Sequence, residues 1–155
     1  MNINFRTAPT IDDQRWIRWM DGEVFPTDYP VTFVGSHWFI GWDGDRPICY
    51  AAWRPHYPMA TAGELHWREQ QGFLYRAGVM PEARGHGLQR KLIEVREEDM
   101  RAHGIKIAVS YTDPTVAASM RSLIACGYRP YTCDAKSNLA GLGRGDGFVH
   151  WRKDL

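Results

Sequence analysis

The sequence has almost no excess charge of either sign and lacks long apolar runs. Lysine plus arginine total 19 and aspartate plus glutamate total 18, a formal net charge of +1 at pH 7. Proteins that bind nucleic acid along its phosphates are normally far more basic, so the composition argues against a nucleic-acid partner. No apolar run of about 18 residues is present to span a bilayer, and the N-terminus lacks signal-peptide features. We therefore expect a soluble, cytoplasmic protein without a membrane partner.

Cysteine is also scarce. Cys49, Cys126 and Cys133 are an odd number without CxxC spacing, which predicts neither a disulfide framework nor a zinc site, and no metal. We interpret all three as reduced, mostly structural thiols. Repeats and long linkers are missing as well, and 155 residues are enough for one ordinary core. The prediction is a single domain over residues 1–155.

The first half of the chain predicts a strand, a helix and a hairpin. Residues 2–7 alternate in polarity, and Thr10 begins a helix with Asp13 as its capping-box partner. The buried stripe of that helix is expected to contain Ile11, Trp16, Trp19 and Met20. Strands at 37–42 and 47–53 flank turn residues and form the hairpin. Residues 54–71 are predicted to form a long loop.

The second half alternates strands with helices. A strand at 73–80 precedes a helix that begins at Leu88 and ends at His103-Gly104. After a strand at 105–112, Asp113 and Pro114 predict the N-cap and first residue of another helix, closed by Gly127. The final strands are expected at 128–133 and 148–151. This order predicts an α/β (α+β) fold with a mixed, mostly antiparallel sheet and helices on both faces.

One segment joins a strand, a glycine-containing turn and the start of a helix. Residues 84–90 are Arg-Gly-His-Gly-Leu-Gln-Arg. The first N–H groups of a helix have no intrahelical partner, and the helix dipole adds positive charge there. Gly85 and Gly87 allow successive amides to approach a pyrophosphate, while Arg84, Arg90 and Lys91 add charge. The segment therefore predicts a phosphate-binding turn.

This segment resembles the GCN5-related N-acetyltransferase (GNAT) superfamily. The family's acetyl-CoA loop has the form Arg/Gln-x-x-Gly-x-Gly/Ala after a Val-x-Pro strand end; here Val79-Met-Pro81 precedes Arg84-Gly-His-Gly87-Leu-Gln89. The family's later Gly-Phe or Gly-Tyr pair corresponds to Gly127-Tyr128. The resemblance implies a GNAT-like fold with acetyl-CoA as co-substrate. It also implies direct acetyl transfer, in a ternary complex, to the primary amine of a small molecule or peptide.

The resemblance also implies which residues bind acetyl-CoA. The backbone of Ala77, Gly78 and Val79 would run beside the pantetheine. The pyrophosphate would be held by Arg84, Gly85, His86, Gly87, Leu88, Gln89 and Arg90. A homodimer stays open as the assembly.

The candidate catalytic residues are two tyrosines. Counting back from Gly127, the family's thiolate-protonating Tyr falls at Leu123 and its cofactor-contacting Asn falls at Val116, and neither side chain can do that chemistry. Residues 73, 75, 77 and 79 are expected to share one strand face. The resemblance implies that Tyr75 lies where relatives sometimes have a catalytic polar residue, which makes it the first candidate. Tyr111, at the end of the next strand, is the second. Candidate bases of unknown placement are Glu64, His66 and Glu69.

Two other functions compete with this interpretation. A catalytically weak acyl-CoA-binding or regulatory module would suit Leu123, Val116 and Gln89, the last of which replaces the small residue that ends the family's loop. A nucleotide-binding protein without CoA is the third alternative. The glycine-rich residues 141–147 predict a hairpin loop rather than a dinucleotide fingerprint, because too few residues follow them for a helix. The acidic run at 94–99 is expected on a solvated helix face.

Aromatic residues are unevenly distributed. Of the 20 rings, 11 lie between Trp16 and Tyr57. Core packing accounts for most of them, but the loop around Phe25, Tyr29 and Phe33 is interrupted by two prolines and is poorly suited to bury every ring. The resemblance implies that this part of the chain shapes the acceptor site, so we hypothesise an aromatic-lined cleft for the acceptor amine.

Overall fold

A computed structural model describes residues 1–56, 70–131 and 147–155. The helices are α1 (Ile11–Val24), α2 (Leu88–Ala102) and α3 (Ala117–Ala125), with a short 3-10 helix at Pro81–Ala83. The strands are β1 (Ile3–Thr7), β2 (His37–Asp43), β3 (Arg46–His56), β4 (Gln71–Val79), β5 (Ile107–Thr112), β6 (Arg129–Pro130) and β7 (Val149–Asp154). No helix in these ranges is long and apolar enough to cross a membrane.

These strands form one sheet in the order β1-β2-β3-β4-β5-β7-β6. β4 and β5 pair in parallel, whereas β1–β2, β2–β3, β5–β7 and β6–β7 are antiparallel. The predicted mixed, mostly antiparallel α/β fold is confirmed. β3 extends to His56, three residues beyond the predicted hairpin strand. Most of the predicted loop at 54–71 and of the glycine-rich segment lies outside the described residues.

Backbone contacts divide the chain into two compact units. The first contains Met1–Arg54 and Tyr75–Arg96, and the second contains Pro55–Leu74 and Glu97–Leu155. Strand β4 and helix α2 each contribute residues to both units. The predicted phosphate-binding turn lies in the first.

Helix α1 begins as its sequence predicts but buries a different face. The Thr10 side chain accepts a hydrogen bond from the Asp13 amide at 3.1 Å, and Asp13 Oδ2 accepts one from the Thr10 amide at 3.0 Å. The buried residues are Ile17, Met20 and Asp21. Of the predicted stripe only Met20 is confirmed; Ile11, Trp16 and Trp19 are exposed. The positions of the apolar residues do not predict the buried stripe, because that stripe includes the charged residue Asp21.

The core of the first unit lies on both faces of β3. Tyr50 and Ala52 pack into one cluster with Ile17, Met20 and Trp38. On the opposite face, the second cluster contains Ile48, Cys49, Ala51, Ala83, Leu88 and Leu92. Burial raises the pKa of the Cys49 thiol to about 12. This cysteine is therefore a structural thiol, as predicted. Cys126 is half-buried and forms no disulfide within the described residues, and Cys133 lies outside them.

In the second unit, the acidic face predicted for α2 contains one buried carboxylate. Glu97 is only 3% exposed, and its Oε2 accepts a hydrogen bond from Lys153 Nζ at 2.7 Å. The expectation that the whole 94–99 run is solvated is therefore wrong at Glu97. Its charge is balanced by Lys153, 56 residues away in the chain, and by Arg101 on the next turn of α2, whose Nη2 lies 3.5 Å from the same oxygen. No local charge pattern signals the lysine.

Helix α3 begins later than predicted, at Ala117 rather than Pro114. Asp113 Oδ1 accepts hydrogen bonds from the Thr115 amide at 2.8 Å and hydroxyl at 2.7 Å. The Val116 amide donates to the Asp113 carbonyl at 3.0 Å. These bonds close a separate turn before the helix, so Asp113 caps that turn. Gly127, with φ of +90°, ends the helix as expected. The last strands are Arg129–Pro130 and Val149–Asp154, the former shorter than predicted.

Candidate active site

The turn between β4 and α2 has the backbone conformation that a phosphate-binding loop needs. Gly85 and Gly87 have φ of +82° and +70°, in the left-handed region that glycine occupies without strain. A Cβ built at either position meets no atom within 4 Å, so both positions face open space. Residues 84–87 are all exposed. The turn is therefore accessible to a large anionic ligand.

The start of α2 leaves amide groups for such a ligand. The amides of Arg90 and Lys91 donate to the Gly87 carbonyl at 3.1 and 3.3 Å, which places Gly87 at the N-cap. Leu88 and Gln89 then occupy the first two helical positions, whose N–H groups have no intrahelical acceptor. Leu88 is 3% exposed and anchors the helix start in the core. The positive end of the helix dipole and the exposed basic side chains of Arg84, Arg90 and Lys91 thus lie at the same turn.

Hydrogen bonds within the turn hold its shape. His86 Nδ1 lies 3.0 Å from the Arg84 carbonyl oxygen and 3.2 Å from that of Ala83, so it acts as the donor to these acceptors. Arg84 Nε donates to the Val79 carbonyl at 3.3 Å, and Glu82 forms an ion pair with Arg46. His86 thus stabilises the turn through this ring nitrogen.

In strand β4, which leads into the turn, successive side chains do not alternate strictly between the two faces of the sheet. Ala77 and Val79 pack against the cluster that contains Leu88 and Leu92. Tyr75 packs against the other cluster, together with α1, and Arg76 reaches Asp21 of that helix. Tyr75 and Arg76 are consecutive, so their sharing a face interrupts the two-residue period. The prediction that Tyr75, Ala77 and Val79 share one face is therefore wrong.

Gly78 allows a tyrosine ring to lie directly against the β4 backbone. A Cβ at position 78 would lie 2.5 Å from Tyr50 Cε1 and from Tyr50 Oη. The ring has little room to move, because Tyr50 is fully buried and its hydroxyl donates to Asp21 Oδ1 at 2.5 Å. The predicted pantetheine-binding strand is thus packed tightly on the face opposite Ala77 and Val79.

We expect Gly78→Ala to destabilise the fold by about 1–3 kcal/mol, because the added methyl group overpacks the core. The matched control is Gly22→Ala, where the new Cβ meets no atom within 4 Å; alanine in α1 should stabilise by up to about 1 kcal/mol. Urea unfolding measures both free energies. Equal stability of Gly78→Ala and the unsubstituted protein would contradict the packing argument.

A buried charge network lies behind this strand. Arg76 Nε donates to Asp21 Oδ1 at 2.8 Å and Nη2 donates to Oδ2 at 3.0 Å. Burial alone would lower the pKa of the Arg76 guanidinium, but hydrogen bonds and attraction to Asp21 outweigh it and raise the pKa. Burial and the hydrogen bond to Asp21 raise the pKa of the Tyr50 phenol. Tyr50 therefore stays a protonated donor and Arg76 stays charged.

Tyr75 is held between a loop and two other side chains. Its Oη accepts a hydrogen bond from the Thr32 amide at 3.3 Å. Its ring lies edge-on to Trp38, with centroids 5.9 Å apart, and the Arg54 guanidinium lies 4.2 Å from the ring centroid. The Thr32 hydroxyl oxygen lies 3.4 Å from the same Tyr75 oxygen, so Thr32 contacts the phenol through both its backbone and its side chain.

Comparison with known proteins identifies the family. The chain matches the acetyltransferase (GNAT) family over residues 8–128. It belongs to this family. A mycothiol acetyltransferase of Geodermatophilus obscurus is 24% identical over 137 residues, which cover 79% of this chain and 43% of that protein. This chain therefore spans less than half the length of that curated relative.

Solved structures share the fold of this GNAT chain. Arabidopsis thaliana NAA60 in complex with acetyl-CoA has a TM-score of 0.74 at 12% identity and covers 99% of this chain and 100% of its own. The ribosomal-protein-S18-alanine N-acetyltransferase from Escherichia coli has a TM-score of 0.70 at 12% identity, with coverage of 99% and 94%. At these identities the likeness establishes the architecture only.

The second unit of this GNAT chain holds the other predicted site residues. The Tyr111 ring stacks on Phe73, with centroids 5.3 Å apart, and meets the edge of Phe148 at 5.4 Å. Leu123 is 4% exposed, and Val116 is 44% exposed at the N-cap of α3. Glu64, His66 and Glu69 lie outside the described residues.

The first unit brings together Tyr75, residues 77–79 and the turn at 84–90. Sequence reasoning missed the network of Asp21, Tyr50 and Arg76 beside them. Two signals could have revealed it: an arginine within the otherwise apolar strand at 73–80, and an aspartate four residues after Ile17 on one helix face. A charged residue in such a position requires a partner.

Proposed function

We propose that this protein is an N-acetyltransferase that moves the acetyl group of acetyl-CoA to the primary amine of a small molecule or peptide, both bound at once. The observation that carries the proposal is the exposed turn at Gly85 and Gly87, where left-handed glycines, the start of α2 and basic side chains meet. Membership of the acetyltransferase family supports it. Acetyl-CoA supplies the activated acetyl group. The proposal takes residues 1–155 as one domain.

The residues of the turn fit the phosphates of CoA. The open space beside Gly85 and Gly87 allows a pyrophosphate to approach the backbone, and the helix N-terminus favours negative charge. Arg84, Arg90 and Lys91 add positive charge at the exposed rim. Residues 77–79 then present backbone groups to the pantetheine and the thioester.

The chemistry requires two proton movements. An alkylamine has a pKa of about 10.4 in water, so it must lose a proton before its nitrogen attacks the acetyl carbon. The new C–N bond forms as the C–S bond breaks; the attacking nitrogen loses its second proton to water as it becomes an amide, and the leaving thiolate takes up a proton. In this proposal the Tyr75 phenol donates that proton and regains one from water; the Thr32 amide, which donates to Tyr75 Oη at 3.3 Å, holds the hydroxyl in place.

Release of free thiol from acetyl-CoA, measured with a panel of primary amines, tests the proposed function. Thiol release that occurs only when both acetyl-CoA and an amine are present supports the proposed function. Binding of CoA without turnover across the panel would favour the acyl-CoA-binding module instead, for which the buried Leu123 at the family's tyrosine position is the supporting observation. Failure of CoA to stabilise the protein against heat would contradict both.

Replacement of Tyr75 by phenylalanine should lower kcat by about tenfold to a hundredfold, since it removes the proton donor while keeping the ring. The dissociation constant of acetyl-CoA should change little, because the phosphates are bound elsewhere in the first unit. Steady-state kinetics and calorimetry measure the two quantities. Tyr111→Phe is the matched variant: a slow Tyr111→Phe enzyme beside an unaffected Tyr75→Phe enzyme would transfer the role to Tyr111.

A further inference from the structure

Arg76 joins β4 to the chain that follows α1 at several points. Besides its two hydrogen bonds to Asp21, its Nη1 donates to Asp28 Oδ2 at 3.1 Å. Its guanidinium also lies over the Phe25 ring, 4.3 Å from the centroid. A single side chain thus fixes the last turn of α1 and the residues that come next.

Tyr75 adds a contact to the same region through Thr32. Because strict alternation is interrupted between Tyr75 and Arg76, both side chains reach the same side of the strand. Residues 25–34, which we name the acceptor segment, are therefore attached to β4 beside residues 77–79. The segment has no helix or strand, only short turns. Val31 anchors it in the core of the first unit, and the contacts of Tyr75 and Arg76 hold it against β4.

The acceptor segment presents apolar groups to solvent. Tyr29 and Val34 are 90% and 93% exposed, and Phe33 packs against Trp38 with centroids 5.1 Å apart. Single exposed apolar side chains are common on protein surfaces, but these two belong to a segment that reaches the Tyr75 hydroxyl through Thr32, where they can contact the apolar part of a bound amine. They fit an amine that carries an apolar or aromatic group.

We propose that Arg76 is a positioning residue that holds the acceptor segment as one wall of the acceptor site, so that the segment selects amines with an apolar group. This inference rests on the proposed function. Only a planar guanidinium can bind both oxygens of Asp21, reach Asp28 and stack on Phe25 at once; a lysine ammonium offers a single charged point.

The first test variant is Asp28→Asn, which weakens the outer contact and leaves the buried pair intact. The KM for an amine with an apolar group should rise about twofold to fivefold, as expected for loss of one partly exposed ion pair. The kcat and the KM for acetyl-CoA should stay unchanged. Hydrogen exchange of peptides that cover residues 25–34 should become faster. Arg76→Lys should show the same pattern, and the two changes together should be less than additive.

Asp12→Asn is the matched control, since it removes the same charge from an exposed ion pair with Arg15 on α1. Neither KM nor exchange in the acceptor segment should change. Unchanged exchange in Asp28→Asn and Arg76→Lys would overturn the positioning role, as would an equal rise in the KM for acetyl-CoA. If the unsubstituted protein releases no thiol with any amine, the proposed function fails, while hydrogen exchange still decides whether Arg76 fixes the segment.

Discussion

A glutamate at position 87 should weaken CoA binding by about 10²- to 10³-fold. The new carboxylate would stand at the N-cap of α2, in the open space where the phosphates are proposed to lie. Two unit charges about 4 Å apart repel each other by roughly 4 kcal/mol near a protein surface, and about 1.4 kcal/mol corresponds to a tenfold change in affinity. Isothermal calorimetry with CoA measures the loss directly.

The matched control for this experiment is Gly87→Gln. Glutamine has the same length and imposes the same backbone strain at φ of +70°, but it carries no charge. Binding should therefore be weaker than in the unsubstituted protein and clearly stronger than in Gly87→Glu. If the glutamate and glutamine variants bind CoA equally well, backbone strain and not charge causes the loss. Unaltered CoA affinity in Gly87→Glu would refute the assignment of this turn as the phosphate-binding site.

Features with local causes were predictable from the sequence. Thr10 and Asp13 form the expected capping box because both partners lie within one helical turn. The β2–β3 hairpin follows from two apolar runs around Gly44, whose φ is +60°. The turn at Gly85 and Gly87 was predictable for the same reason, since a few adjacent residues determine its conformation.

The features that were missed depend on partners far apart in the chain. Arg76 and Asp21 are 55 residues apart, so the sequence shows each as a charge among apolar neighbours but does not show which partner it pairs with. Nor does it show that Glu97 pairs with Lys153. The interrupted alternation at Tyr75 and Arg76 also depends on tertiary contacts, because local periodicity places consecutive residues on opposite faces.

Arg76→Met should destabilise the fold by about 3–5 kcal/mol, because it leaves the buried Asp21 carboxylate without its cationic partner. The Asp21 side chain is only 8% exposed, and without Arg76 its carboxylate would keep the Tyr50 hydroxyl as its partner within the described network. Removal of one member of a buried ion pair leaves an uncompensated charge out of water, which accounts for the size of the loss. Urea unfolding followed by tryptophan fluorescence measures it.

The double variant Asp21→Asn/Arg76→Met separates the charge effect from the loss of packing. Asparagine still accepts the hydrogen bond from Tyr50 but carries no charge, so most of the lost stability should return, as buried ion pairs replaced by neutral groups often cost little. A double variant as unstable as Arg76→Met would show that the guanidinium acts through its packing against Phe25. A loss below about 1 kcal/mol in Arg76→Met, the range of exposed ion pairs, would contradict the buried network itself.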